Sequence, residues 1–162
     1  MEILSISQSQ FQQLPGVRQI ISHNYARKYG AIVLENLETF GMSWRSECVD
    51  PIAQLSADKT IVWLGVDQQL IALSLHQGRV CVALPLSSNI VQVLTADSFT
   101  AVLTELEVLI FNQDHSIRYS QGLPDIGSEM VLHDRNVDIE LIDGNHLILD
   151  VETGRLKVPA FI

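Results

Sequence analysis

Residues 70–84 read LIALSLHQGRVCVAL, and this stretch decides the fold class. It consists of two apolar runs separated by the short polar turn His76–Gln77–Gly78. Runs of Val, Leu and Ile favour β-strands, and a glycine-containing turn between two such runs is typical of a β-hairpin. We therefore predict a hairpin over these residues.

Residues 108–119 and 147–158 repeat this hairpin. Gly154 stands at the position of Gly78, so we predict a positive φ angle at both glycines. The copies are of similar length, and their return strands begin at intervals of 37 and 39 residues, at Val80, Ile117 and Leu156.

A second type of hairpin precedes each of these copies. It consists of an apolar run, a short polar turn that contains an aspartate, and a second apolar run. Aspartate favours turns because its side chain hydrogen-bonds to the local backbone. The three copies are residues 52–63, 91–103 and 130–141, their turns contain Asp58, Asp97 and Asp134, and their second strands are predicted to bury Trp63, Leu103 and Leu141 at equivalent positions.

Residues 32–44 read as an earlier copy of the first hairpin type, with Met42 preceding Val80 by 38 residues. Four short strands about every 40 residues is the spacing of propeller blades. In period and turn placement, residues 31–162 resemble β-propeller blade repeats. The resemblance implies a mainly β fold of antiparallel four-stranded units, and a β-meander is the alternative. The sequence contains no WD dipeptide and no kelch glycine pair, so it indicates no particular family.

Residues 1–30 differ from the repeats. Apolar and aromatic residues fall at helical spacing here, and Gly30 is placed to end a helix after the cations Arg27 and Lys28. We predict a short N-terminal helix over this segment. In the alternative, residues 11–21 form the first hairpin of a repeat, and the chain then holds four complete blades. The residues at helical spacing are Val17, Ile20, Ile21, Tyr25 and Tyr29.

Length and composition suit one folded domain spanning residues 1–162. The chain has 162 residues, of which 47% are hydrophobic and 18% charged, so disorder is excluded. The formal charge is −9, with −1 in residues 1–81 and −8 in residues 82–162. So acidic a surface repels phosphate groups, and we expect neither a nucleic acid nor a membrane as partner.

The two cysteines and the N-terminus bear on location. The first residues lack the basic and apolar regions of a signal peptide, so we expect a cytoplasmic protein. In a reducing compartment, Cys48 and Cys81 are predicted to be unpaired thiols, with Cys81 in the core between two valines.

One cluster suggests binding to another protein. Tyr, Trp and Arg are enriched at the energetic centres of protein interfaces. The alternative is that these aromatic residues cover the adjoining sheet while the cations serve the end of the predicted helix. The candidate partner-binding residues are Tyr25, Arg27, Lys28, Tyr29, Trp44 and Arg45.

Acidic residues and histidines offer a second, weaker hypothesis. A repeat fold would bring Asp58, Asp97 and Asp134 to one rim, where carboxylates could bind a divalent metal in a metal- or ligand-binding enzyme. A richer polar stretch spans residues 133–152, but Asp138 and Glu140 alternate there with apolar residues, as on a solvated strand face.

Neither a nucleophile elbow nor a glycine-rich phosphate loop is present in the sequence. We therefore expect a non-enzymatic interaction module without a cofactor. Open sheet edges and the apolar end of the chain at residues 158–162 favour self-association, and we predict a symmetric homodimer.

Overall fold

The computed structural model describes residues 1–36 and 38–158, and the predicted mainly β fold is confirmed. The described residues form four four-stranded sheets, here numbered I to IV along the chain. One short α-helix lies near the N-terminus, as predicted. The chain divides into two compact units, residues 1–86 and residues 87–162, and each unit holds two sheets.

Unit 1 contains sheets I and II. Sheet I has the strand order β1-β3-β4-β2 and sheet II the order β5-β6-β7-β8. The elements are β1 (Leu4–Ile6), α1 (Gln8–Gln13), a 3-10 turn (Gly16–Arg18), β2 (Gln19–Ile21), β3 (Lys28–Val33), β4 (Thr39–Trp44), β5 (Ile52–Leu55), β6 (Ile61–Val66), β7 (Gln69–Ser74) and β8 (Arg79–Pro85).

Unit 2 contains sheets III and IV, whose strands follow one another in chain order. Sheet III comprises β9 (Ile90–Thr95), β10 (Phe99–Thr104), β11 (Glu107–Asn112) and β12 (Ile117–Gly122). Sheet IV comprises β13 (Gly127–His133), β14 (Asn136–Leu141), β15 (His146–Asp150) and β16 (Leu156–Lys157).

Each unit has its own hydrophobic core, shared by its two sheets. In unit 1 the core joins Met42 and Trp44 of sheet I to Leu64 and Ile71 of sheet II. In unit 2 it joins Leu103 and Ile110 of sheet III to residues of β14 and β15. Alternation along each strand sends one set of side chains into this core, and the middle strands β6 and β10 are buried at every position, so both of their faces are covered.

The predicted N-terminal helix is present, but it does not lie at the apolar residues between Val17 and Tyr29 that suggested it. The α-helix is Gln8–Gln13, and a capping box formed by Ser7 and Gln10 fixes its start. Residues 19–21 and 28–33 are strands instead, because pairing in sheet I outweighs the helical spacing of the apolar side chains. Val17 lies 86% exposed, so the side chains at that spacing do not form one buried face.

The alignment of residues 32–44 with the hairpin of residues 70–84 is also wrong by one strand, because the latter contains the last two strands of sheet II. These residues do form an antiparallel hairpin, but β3 and β4 are the two middle strands of sheet I. The outer places are taken by β1, which pairs with β3, and by β2, which pairs in parallel with β4. The chain therefore holds four sheets, and residues 4–21 supply the first sheet's edges rather than a hairpin of their own.

The short helix covers the face of sheet I that lies away from sheet II. Phe11 is buried, and a Cβ atom added to Gly41 would lie 2.5 Å from Leu14 Cδ1 and 3.0 Å from Phe11 Cδ2. Glycine at this place in β4 therefore lets the helix approach the sheet closely.

The turn predictions are confirmed. Gly78 has a φ angle of 60° and Gly154 one of 74°, and each donates its N–H to the last residue of the preceding strand, Ser74 or Asp150. Both glycines thus end the same kind of turn, at which residues with a side chain are disfavoured.

Burial of Trp63, Leu103 and Leu141 is confirmed, but their equivalence is wrong. Counted from the hairpin end of each second strand, Trp63 is third, Leu103 fifth and Leu141 sixth. Leu103 and Leu141 therefore point from opposite faces of their sheets into the same core, which lies between sheets III and IV.

Candidate functional site

A cleft of about 700 Å³ opens in unit 1, beside the N-terminal strand. Its walls come from the β1 edge of sheet I and from the residues that lead into β5, the edge strand of sheet II. Polar and apolar groups both contribute to the walls. The lining residues are Ile3, Ser5, Ile6, Ser7, Gln8, Arg27, Lys28, Tyr29, Trp44, Asp50 and Pro51.

Four of the six predicted partner-binding residues line this cleft: Arg27, Lys28, Tyr29 and Trp44. Lys28 lies opposite Trp44 in the β3–β4 pairing, which brings the two parts of the predicted cluster together. The strand, rather than the predicted helix, is what positions them.

The other two predicted residues, Tyr25 and Arg45, do not line the cleft. Tyr25 is 92% exposed and has a φ angle of 58° in the loop before β3. The backbone N–H of Arg45 donates to Asp67 Oδ2 at 2.9 Å, at the start of the loop after β4. Their part in a common site stays a prediction.

Two aromatic residues of the cleft wall, Tyr29 and Trp44, are held in place by packing contacts. The Tyr29 ring packs against Phe11, with the ring centroids 5.4 Å apart, which links the wall to helix α1. Trp44 packs over Gly30, where an added Cβ would lie 3.0 Å from Trp44 Cζ3 and 2.8 Å from Ile3 Cγ2. Glycine at position 30 thus permits the close approach of the indole.

Trp44 carries an unpaired donor. Its side chain lies in the core with 7% of the residue exposed, and its Nε1 atom has no hydrogen-bond acceptor among the described residues. A buried N–H without an acceptor costs free energy, so such groups are uncommon in folded proteins.

The charges in the cleft are unevenly compensated. Arg27 forms an ion pair with Glu47 in the loop after β4, with 2.7 Å between Nη1 and Oε1. Lys28 is exposed and forms no ion pair within the described part of the chain, and Asp50 stands on the facing wall. The cleft therefore presents one free cation and, on its other side, one carboxylate.

The N-terminal wall of the cleft, formed by Ile3 and residues 5–8, was not predicted from the sequence. One local signal was available, because Ser7 followed three residues later by Gln10 is a capping box that places a helix start there. The pairing of β1 with β3 joins distant parts of the chain and has no local signal of this kind.

A buried polar contact joins the two sheets of unit 1. The N–H of His23 donates to Ser43 Oγ at 2.9 Å, and its ring Nε2 lies 4.0 Å from Asp67 Oδ2 in the β6–β7 turn. Asp67 Oδ1 is buried without a partner among the described residues. Asp67 thus holds the backbone of Arg45 and faces His23 at the same time.

The three turn aspartates lie where they were predicted, between the first and second strands of sheets II, III and IV. Asp58 is occupied within its own turn, since its Oδ1 accepts hydrogen bonds from the Ser56 hydroxyl and from the N–H and hydroxyl of Thr60. These bonds stabilise the carboxylate and lower the pKa of Asp58 to about 2.

The lowered pKa of Asp58 predicts a dependence of stability on acid. Because the folded pKa of about 2 lies below the ordinary value of 3.8, Asp58 stabilises the fold above pH 3.8, and this contribution is lost as pH falls through the folded value. An NMR titration of the side-chain carboxyl carbon should show it. Ser56→Ala is expected to raise the Asp58 pKa, and an unchanged midpoint in that variant would contradict the assignment.

A cluster of acidic and histidine side chains lies on the face of sheet IV that points away from the core. As predicted, Asp138 and Glu140 point away from Val137 and Ile139, which are in the core. A depression of about 60 Å³ there is also lined by His133 and His146. The His146 Nδ1 atom lies 2.8 Å from Asp138 Oδ1.

His146 is predicted to titrate above its ordinary range. Its hydrogen bond to Asp138 raises the pKa from 6.5, with the charges of Asp138 and Glu140 adding to the effect. The pair therefore stabilises the fold below pH 6.5, and this contribution is lost as pH rises through the folded pKa. Proton NMR should place the midpoint above 6.5 and show a lower one in Asp138→Asn. Asp97→Asn, in sheet III, is the control and should leave it unchanged.

Within residues 1–36 and 38–158, the structure forms no group of three His, Cys, Asp or Glu side chains able to hold a metal ion. None of the helices in this part of the chain combines the length and apolar character that a membrane crossing requires. Cys48 and Cys81 are free thiols, as predicted, but Cys81 is exposed on β8, so its placement in the core was wrong. Cys81 lies on an edge strand at the register shift between β7 and β8, and the three residues Arg79, Val80 and Cys81 are all exposed there.

Comparisons with known proteins show a likeness of fold alone. No protein-family model and no curated protein matches the sequence. Among solved structures, the chain is similar to Saccharomyces cerevisiae Sqt1, with a TM-score of 0.58 and 15% identity over 71% of this chain and 34% of that one. It is similar to dihydro-heme d1 dehydrogenase NirN, with a TM-score of 0.59 and 12% identity over 83% and 32%.

The chain is also similar to the computationally designed Ika4 protein, with a TM-score of 0.55 and 12% identity over 67% of this chain and 71% of that one. Of the two natural proteins, Sqt1 and NirN, the chain spans about a third of the length. Sqt1 and NirN are propeller-like, and the four-stranded sheets of this chain fit blade repeats. We conclude that the chain has a β-propeller-like fold of four-stranded repeats, with no specific family identified.

Proposed function

We propose that this protein is a non-enzymatic interaction module and that the cleft of unit 1 is the place where it binds another protein. The observation that carries the proposal is the gathering of Lys28, Tyr29 and Trp44 on one concave surface. Trp and Tyr are enriched at the energetic centres of protein interfaces, and a cation beside them can select a partner by charge. The propeller-like fold is compatible with a scaffold role.

The cleft suits a protein segment better than a small molecule. It is open and its walls are evenly divided between polar and apolar groups, whereas small-molecule sites are more enclosed and mostly apolar. One wall is the edge strand β1, whose main-chain groups can hydrogen-bond to an extended peptide. A small molecule would instead need polar groups that converge on it from several sides.

The experiment is a comparative capture of partners with two charge-reversal variants. Lys28→Glu changes the free cation of the cleft, and Lys59→Glu makes the same change in the exposed β5–β6 turn of the same unit. A protein retained by the wild type and by Lys59→Glu but lost by Lys28→Glu supports the proposal. Equal retention by both variants contradicts it.

Self-association is the second candidate, favoured by exposed apolar residues on edge strands. Val80 on β8 is 37% exposed and Ile117 on β12 is 49% exposed, and both strands are at the edge of their sheets. A homodimer would cover such edges. Light scattering across a dilution series should then give twice 18.1 kDa, and a mass of 18.1 kDa throughout would exclude the dimer.

A further inference from the structure

Among the described residues, no strand pairs with the outer side of β1 in sheet I, so its main-chain groups there can take a further strand. The N–H of Leu34 donates to the carbonyl of Glu38 at 2.8 Å, and from there β3 and β4 pair without a shift in register. Because main-chain groups in a strand alternate in direction, Ile32 and Gly30 bond to β4. The main-chain groups of Ala31 and Tyr29 therefore point to the other side of β3 and bond to β1.

The same alternation fixes the direction of Ser5. Leu4 and Ile6 lie opposite Ala31 and Tyr29, so these are the residues of β1 whose main-chain groups point to β3. Ser5, between them, directs its N–H and C=O away from the sheet. Ser5 is exposed and lines the cleft, so this donor and acceptor face the proposed docking site.

The side chains around this edge add a chemical preference. Lys28 forms no ion pair within the described residues, whereas Arg27 shares its charge with Glu47 in an exposed ion pair. Asp50 on the facing wall disfavours a carboxylate on that side. The Trp44 side chain also lines the cleft and adds apolar surface, whereas its Nε1 atom is buried.

We propose that the cleft binds its partner by strand addition: an extended peptide segment pairs with β1 through Ser5 and directs an acidic side chain to Lys28. This inference rests on the proposed function and specifies the form and chemistry of the partner. Strand addition draws affinity from main-chain hydrogen bonds and selectivity from the side-chain contacts. A helical segment could not use the main-chain groups of Ser5.

The probe is a display library of random nine-residue peptides, selected on the full-length chain. Peptides eluted from the wild type should be richer in Asp and Glu than the starting library. Selection on Lys28→Glu should remove this enrichment, and selection on Lys59→Glu should keep it. Enriched peptides without acidic residues would overturn the charge assignment while leaving the docking function intact.

To test strand addition, the selected peptide with the highest affinity is synthesised, and its binding to two variants at position 5 is compared with its binding to the wild type. Ser5→Pro removes the outward N–H, at an edge position where proline is tolerated because that N–H makes no bond to β3. Ser5→Ala keeps the N–H and is the matched control. We expect Ser5→Pro to weaken binding about tenfold and Ser5→Ala to leave it unchanged. Circular dichroism confirms that both variants fold.

N-methylation of successive peptide amides gives the second signature. Ser5 is the residue of β1 that offers an outward carbonyl, so methylation should weaken binding at the one peptide amide that donates to it and spare the neighbouring amides, which point away from β1. A uniform loss along the peptide, or full binding to Ser5→Pro, would overturn strand addition. If the wild type enriches no peptide above the starting library, both the docking function and this inference are wrong.

Discussion

Leu103→Ala lowers the free energy of unfolding by roughly 2–5 kcal/mol, the cost of an unfilled cavity in a packed core. Leu103 is fully buried in β10 and belongs to the core that sheets III and IV share. It also lies against Gly127, where an added Cβ would be 2.8 Å from Leu103 Cδ1. So tight a surrounding cannot collapse freely into the space that the leucine leaves. Urea unfolding followed by circular dichroism measures the change.

The matched control is Leu106→Ala in the β10–β11 turn of the same sheet. Leu106 is 52% exposed, so the same truncation leaves no cavity and should cost well under 1 kcal/mol. Equal losses in the two variants would contradict the assignment of Leu103 to the core. A loss at Leu103 below that at Leu106 would do so as well.

The same variant tests whether the chain is one cooperative domain, as its length suggests. Both tryptophans, Trp44 and Trp63, lie in unit 1, whereas Leu103 lies in unit 2. Tryptophan fluorescence therefore follows unit 1, and circular dichroism follows both units. If the chain is a single domain, Leu103→Ala shifts the two signals together. A shift in circular dichroism alone would show that the units unfold separately.

The parts of the fold that were predictable from the sequence are those with local signals. The hairpin turns ending at Gly78 and Gly154 were recognisable because two apolar runs flank a turn that requires positive φ. Sheets II to IV follow the chain order, so each of their strands pairs with its neighbour in the sequence. For such meanders, strand prediction already gives the topology.

Sheet I was not predictable in this way, because its edges come from outside its central hairpin. The parallel pairing of Gln19 with Gly41 joins residues more than one strand apart in the chain, and the apolar spacing around it suits a helix equally well. The equivalence drawn between Trp63, Leu103 and Leu141 failed for another reason. Turns of unequal length preceded these strands, and one residue of offset moves a side chain to the other face.

The candidate site shows the same division. Lys28, Tyr29 and Trp44 were identified from residue type alone, since aromatic residues and cations are conspicuous in an acidic sequence. Ser5 was not, because its contribution lies in its main-chain direction, which follows from the register of β1 against β3. Register between strands far apart in the chain is a property of the packed sheet.

Gly154→Ala is expected to lower the free energy of unfolding by roughly 2–4 kcal/mol, from two separate causes. The φ angle of 74° is unfavourable for any residue with a side chain. In addition, a Cβ at this position would lie 2.6 Å from Tyr119 Cδ1 and 2.8 Å from Cε1. The ring cannot easily retreat, because the Tyr119 hydroxyl donates a hydrogen bond to the carbonyl of Glu152 in the same turn.

Gly144→Ala separates the two causes. Gly144 has a φ angle of 86°, but an added Cβ there meets no atom within 4 Å. The alanine at position 144 therefore carries the backbone cost alone, about 1 kcal/mol, and the remaining loss at position 154 measures the contact with Tyr119. In the double variant Gly154→Ala with Tyr119→Ala, the steric part of the loss should disappear, so that its cost is less than the sum of the two single changes. Additive costs would show that Tyr119 does not press on this turn.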